Sequence, residues 1–182
     1  DFLELVVDTY DRKVTSALKK NDPNHLYLGT RLHGRALQSE QIFVAAGKYA
    51  DVISVNYYHR WTPEKERIEN WSALAGKPIL ITEWYAMAED SDLPVDEFGA
   101  GFPVRTQADR AKFYQHFSLG LLQIPSCIGW HWFKYRDSSN NAGIVDKESK
   151  AYDVLWKSMK QIHHQAYSLV NYFDHQQENN IE

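Results

Sequence analysis

The residues with the most chemistry in this sequence are a carboxylate, a tyrosine and a pair of tryptophans that close three short apolar runs. Glu83 ends the run ILITE and is followed at once by Trp84 and Tyr85. A carboxylate at the end of a buried strand is shielded and hydrogen-bonded, the setting a nucleophilic or acid–base carboxylate needs. The plainer alternative is a Glu that only pairs with a neighbouring Arg. The run VISVNYY puts Asn56 and Tyr58 on one face and Tyr57 on the other, since successive strand side chains alternate. If Ser54, Asn56 and Tyr58 face inward, the Tyr58 hydroxyl reaches a carboxylate on the adjacent strand. In GWHWFKY, alternation puts Trp130 and Trp132 on a common face, offering the flat apolar platform on which sugar C–H faces stack. For each aromatic taken singly, core packing is the competing role.

These residues need elements to position them. The first segment carries Leu3, Val6, Val7, Tyr10, Val14, Ala17 and Leu18 on a helical stripe that NDPN breaks. Four short apolar runs then read as strands buried on both faces: LYLGT from Leu26, VISVNYY from Val52, ILITEW from Ile79 and IGWHWF from Ile128. Helical patterns lie between them. One is capped by Ser39, one starts at Thr62-Pro63 and ends at Gly76, and one begins at Thr106 with Asp109 at the reciprocal capping position. A last helix carries Tyr152, Leu155, Trp156, Met159 and Ile162 on one side. Strand followed by helix, four times, predicts an α/β fold with parallel strands and right-handed crossovers. Either an open doubly wound sheet or part of a (βα)8 barrel satisfies that pattern. No GxGxxG or GxxxxGK[ST] follows the first strand, which removes the main support for nucleotide binding.

Bulk properties exclude several classes. The chain has 182 residues, 43% of them hydrophobic, and a net charge of −4 with the signs interspersed. It can bury one core, lacks the basic face nucleic acid requires, and holds no apolar run of the about 18 to 20 residues that span a membrane. The N-terminus has no signal-peptide pattern. The single cysteine, Cys127, forms no internal disulfide and reads as a packing residue. His33, His59 and His131 lack the close spacing of metal ligands, and His163 and His164 lie on the last helix, so no metal and no cofactor is called for.

The ordered set LYLG, DVISVNYY, ITEW and GWHWFKY resembles the final strands of the clan A retaining glycoside hydrolases. The stretch from GAGF through RTQADRAKFY to GWHWFKY, then NNAGIVD and Tyr152, is most similar to agarase and porphyranase-type enzymes. The resemblance implies the C-terminal half, strands five to eight, of a (βα)8 TIM barrel, with residues 1–175 as a partial catalytic domain and 176–182 as a polar tail. It implies Glu83 as the nucleophile of a retaining endo-hydrolase of β-linked galactans of agarose or porphyran type. Tyr58 orients it, and Trp132 lies beneath the sugar. Trp130, Trp84, Asn56, His33, Arg31, Arg60, His59 and Lys134 are the further candidates for contact with a polysaccharide or oligosaccharide substrate.

The general acid/base of that clan, a Glu ending strand four, has no counterpart here, because Glu4 lies within the first helix. The sequence therefore reads as a fragment inactive by itself, with its proton donor upstream of Asp1. The exposed edges of half a barrel predict self-association or pairing with the missing half. A polymeric substrate implies a secreted or periplasmic parent protein. Another clan A glycosidase such as a β-galactosidase, a non-catalytic carbohydrate-binding domain and an open-sheet domain binding a small partner remain alternatives. Arg31, His33, Arg35, Arg60, Lys134 and Arg136 fall in the loops at the mouth, which favours an anionic sugar. The alternative is that they neutralise Glu83 and the acidic loop Glu89, Asp90, Asp92, Asp96 and Glu97.

Overall fold

The computed structural model describes residues 2–95 and 100–178, with the side chains of 177 and 178 left aside, so Asp96, Glu97 and most of the polar tail lie outside the described residues. In chain order the helices and strands are α1 (Phe2–Asn21), α2 (Glu40–Gly47), β1 (Ile53–Asn56), α3 (Lys65–Ala75), β2 (Ile79–Glu83), β3 (Ala86–Ala88), β4 (Phe102–Val104), α4 (Gln107–Leu122), β5 (Cys127–Trp130) and α5 (Asp153–Glu178). The parallel sheet has three strands in the order β1-β2-β5, and β3 and β4 form a separate parallel pair.

This corrects the expectation of four strands forming half of an eight-stranded TIM barrel. The described residues form an open three-stranded sheet, because the first predicted strand does not form. LYLGT forms no ladder with β1: the Ser54 hydroxyl donates to the Leu28 carbonyl at 2.7 Å, and an isolated bridge to Val55 comes only at Leu32, beyond the run. Gly29 explains the interruption: it sits at φ 67, a left-handed angle glycine adopts without strain and no regular strand contains. The β3–β4 pair lies in a region where the sequence shows no strand pattern, since three residues carry too little periodicity to register.

Local signals were strongest where a cap closes a helix. The Asp109 amide donates to Thr106 Oγ1 at 3.1 Å, and the Thr106 hydroxyl donates back to Asp109 Oδ2 at 2.8 Å. Gly76 ends α3 at φ 62. Helix α3 starts at Lys65 rather than Thr62, whose hydroxyl pairs with His116 Nε2 instead. Ser39 occupies the cap position of α2 without a side-chain cap bond.

The core lies between the sheet and the helices. Ile79, Ile81, Val55 and Ile53 meet Phe113, Phe117, Leu121 and Ile68, all buried. Trp84 stacks on Phe117 with ring centroids 4.3 Å apart, and Phe43 stacks on Trp71 at 5.3 Å. Rings of this size dominate core energetics, each burying roughly 150 to 250 Å².

Candidate active site

Glu83 reaches the open side of the sheet through an irregularity of register. Val55 pairs with Ile81, but Asn56 pairs with Glu83, so Thr82 is an extra residue on β2. Strict alternation would place Glu83 with Ile79 and Ile81 in the helix-facing core. A bulge of one residue exchanges the faces of everything beyond it. Glu83 therefore turns outward and Trp84 turns into the core, where it is 1% exposed.

Two groups hold the carboxylate. The Tyr58 hydroxyl donates to Glu83 Oε2 in a short hydrogen bond, and Arg31 Nη1 donates to Oε1 at 2.7 Å. The Glu83 side chain is 16% exposed and that of Arg31 60% exposed. Burial, then the bond to Glu83, pushes the Tyr58 phenol well above its ordinary pKa, so it serves as a neutral donor. Asn56 accepts from the Thr82 hydroxyl at 2.7 Å, which ties β1 to the bulge. His33 stands edge-on to Tyr58, centroids 5.5 Å apart.

Other predicted contact residues are placed differently. Trp84 is sealed in the core and cannot stack on a ligand, which corrects its assignment to substrate contact. Trp130 donates from Nε1 to the Tyr114 hydroxyl at 2.9 Å, facing α4. Trp132 donates to the Ala142 carbonyl at 2.8 Å and stands edge-on to Trp84 at 5.1 Å, half-buried. Strand β5 ends at Trp130, so alternation no longer governs the residues beyond it. Besides His33, two rings stand edge-on to Tyr58, Tyr85 at 5.8 Å and Phe133 at 6.5 Å, and these two are 5.4 Å from each other. Sequence reasoning missed Phe133. Its placement comes from its amide donating to the Trp84 carbonyl at 3.1 Å, directly beyond Glu83.

Most cations of the mouth have partners. Arg60 Nε donates to Glu64 at 2.7 Å, and Lys134 donates to the Ser138 hydroxyl with its ammonium over the Phe133 ring. His59 is exposed, at φ 58. A hollow of about 320 Å³ adjoins the site, lined among others by His33, Asn56, Tyr58 and His59. A larger hollow of about 770 Å³ lies against α5, lined by Tyr135, Trp156, Met159 and their neighbours, with no carboxylate on its walls.

Behind the site lies a second polar cluster that the sequence did not announce as a unit. Asp137 accepts from the Gly143 amide at 2.6 Å, from Asn141 Nδ2 at 3.1 Å and from the Tyr152 hydroxyl at 2.6 Å. Arg110, fully buried, donates to the carbonyls of Ala86 at 2.9 Å and Gly143 at 2.8 Å and to Gln107 at 2.7 Å, and packs over the rings of Trp132 and Tyr152. Burial lowers its pKa to about 10, against the opposing attraction of Asp137. Among the described residues no group of three His, Cys, Asp or Glu side chains could hold a metal ion, and no helix is long and apolar enough to cross a membrane.

No family model matches the sequence. The chain is 32% identical over 93% of its length to β-agarase B of Vibrio sp. strain JT0107, and 32% identical over 77% to β-agarase A of the same strain. It spans only 18% and 14% of those two relatives. A solved structure named BpGH50 superposes on 95% of the chain with a TM-score of 0.90 and 44% identity, the chain covering 38% of it. An exo-β-agarase superposes on 92% with a TM-score of 0.81 and 30% identity, the chain covering 23% of it. Over most of its length this chain is similar to agarase-type glycoside hydrolases.

Proposed function

We propose that this chain carries the nucleophile of a retaining hydrolase of β-linked galactans. The observation that supports this best is Glu83 held at the end of β2 by one donor on each oxygen, Tyr58 and Arg31. Such a carboxylate attacks the anomeric carbon, displaces the leaving sugar, whose oxygen takes a proton from the acid, and forms a covalent glycosyl intermediate; water then attacks from the face the leaving sugar vacated, opposite the carboxylate, and releases it. The phenol of Tyr58 fixes which oxygen attacks, and the aromatic edges of Phe133 and Tyr85 wall the site beside it.

A retaining reaction also needs a proton donor, a second carboxyl group about 5 to 5.5 Å from the first. Among the described residues no other carboxylate is hydrogen-bonded to Tyr58 or Arg31. Asp137 is 4% exposed and already accepts three hydrogen bonds, and Glu64 is held by Tyr57, Arg60 and Arg67. We therefore assign proton donation to a carboxylate outside the described residues, for which relatives several times longer than this chain leave ample room.

Three measurements test the proposal. The 182 residues alone should release no reducing ends from agarose. In a polypeptide that also carries the proton donor, Glu83→Gln should abolish turnover while galactan binding persists. Proton NMR of the first-formed product should show the β anomer; an initial α anomer, or near-normal turnover by Glu83→Gln, would remove Glu83 from this role. Product length distinguishes internal cleavage from the terminal cleavage of an exo-β-agarase such as the one this chain resembles. Since a galactan polymer does not cross a cell envelope, the same proposal places the parent protein in the periplasm or outside the cell. β5 carries Ile128 at 56% exposure, and an uncovered strand edge of this kind favours association. Light scattering over a concentration series checks that.

A further inference from the structure

The hollow beside Tyr58 has a basic wall whose charge the hydrolytic site does not use. Arg35, Arg60 and Arg67 line it, together with His33 and His59. The carboxylate bound to this wall is that of Glu64. Its Oε2 accepts from Arg60 Nε at 2.7 Å, Arg67 Nη1 at 3.1 Å and the Tyr57 hydroxyl at 2.6 Å. Burial alone would raise the Glu64 pKa, but these three donors outweigh it and hold the group down at about 2. Glu64 thus neutralises part of the charge of Arg60 and Arg67, while Arg35, the third guanidinium on the lining, brings five further N–H donors.

The donors are also held in place. Arg67 lies over the Trp71 ring at 5.0 Å, and Arg60 Nη1 donates to the His59 carbonyl at 2.9 Å. His59 keeps that carbonyl in position at φ 58, an angle a non-glycine residue adopts only where its surroundings impose it. The side chain of Arg35, on the short 3-10 helix Gly34–Gln38, makes no hydrogen bond or ion pair among the described residues. The one cation that would compete, Arg31, is committed to Glu83.

We propose that this hollow binds an anionic substituent of the substrate sugar, a sulfate ester or a uronate carboxylate, and that Arg35 is the residue that selects for it. The proposal rests on galactan hydrolysis at Glu83, because Tyr58 forms a wall of the hollow and bonds the nucleophile, so a sugar reacting at Glu83 presents a substituent to the basic wall. Guanidinium forks suit both oxyanions, which they bind through paired, charge-assisted hydrogen bonds. The residual positive charge does not disturb the nucleophile, whose own charge is balanced by Arg31.

Calorimetric titration of the purified chain with methyl β-galactoside, its 6-sulfate, methyl galacturonoside and inorganic sulfate tests this. At least one charged sugar should bind about tenfold more tightly than the neutral one, and Arg35→Ala should lower that ratio by about tenfold, with Arg35→Glu lowering it further. The tighter of the two charged sugars names the substituent. Circular dichroism confirms that both variants remain folded, which the unpartnered side chain leads one to expect. Equal binding of charged and neutral sugars, an unchanged ratio in the variants, or sulfate binding that the sulfated sugar does not displace would each overturn the proposal. Glu83→Gln separates the two levels: turnover surviving in that variant defeats hydrolysis at Glu83, while an unchanged ratio in it leaves the anion subsite standing.

Discussion

Glu83 and Asp137 are both carboxylates that accept a hydrogen bond from a tyrosine, and the rest of their surroundings could hardly differ more. Glu83 has Tyr58 and one arm of a largely exposed arginine, so a ligand can replace water and reach its oxygens. Asp137 has Tyr152, Asn141 and the Gly143 amide, and is sealed from solvent. A fully satisfied buried network rigidifies what it touches, and this one touches the Trp132 shoulder of the site through Arg110. The contrast separates a carboxylate available for chemistry from one whose capacity is spent on structure.

The largest effect should come from Glu83. In a catalytically complete polypeptide, Glu83→Gln is expected to lower kcat by about three orders of magnitude or more, with the melting temperature close to that of the parent. Reducing-end assays and calorimetry on one preparation check both halves. Arg110→Met should behave in the opposite way. It strips the donors from two buried carbonyls, those of Ala86 and Gly143, and a buried acceptor left unsatisfied costs about 1 to 3 kcal/mol. Urea unfolding should show that loss; a variant as stable as the parent would mean that the sealed cluster is not what holds this region.

Tyr58→Phe sharpens the comparison further, because it removes one hydrogen bond to a charged group and almost no volume. A drop of about ten- to hundredfold in kcat is expected, with little change in KM. The same substitution at Tyr152 should register in unfolding midpoints instead. The smallest effect is at Glu64. Its folded pKa of about 2 lies below the unfolded value of 4.5, so its contribution is complete above pH 4.5 and is lost as the pH falls toward 2. The side chain is 43% exposed, which limits that contribution to about 1 kcal/mol or less. Unfolding midpoints measured across that range should decline less steeply in Glu64→Gln.

How much of this was legible in the sequence depends on whether a feature is local. The caps at Thr106 and Gly76 are written into a few adjacent residues, and the cores of β1, β2 and β5 into short apolar runs. The alternation of Tyr57 and Tyr58 could be read because no irregularity intervenes between them. LYLGT misled because its apolar content outweighed one glycine in the pattern, whereas the backbone angle of that glycine decides the matter. Phe133 was passed over because alternation was carried from Trp130 past the end of β5. The Arg110–Asp137 cluster joins residues from α4 and a loop far along the chain, and no spacing rule connects them.

By itself, then, the sequence determined the helices, the strands β1, β2 and β5, and a carboxylate ending β2 with a tyrosine able to reach it. Which way that carboxylate points was decided only in three dimensions. The extra residue at Thr82 is visible only as a slip of register against β1, and that slip sends Trp84 into the core and Glu83 out of it. Strand pairing is a relation between distant segments. Its register is set where burying Trp84 against Phe117 outweighs the one ladder position given up at the bulge.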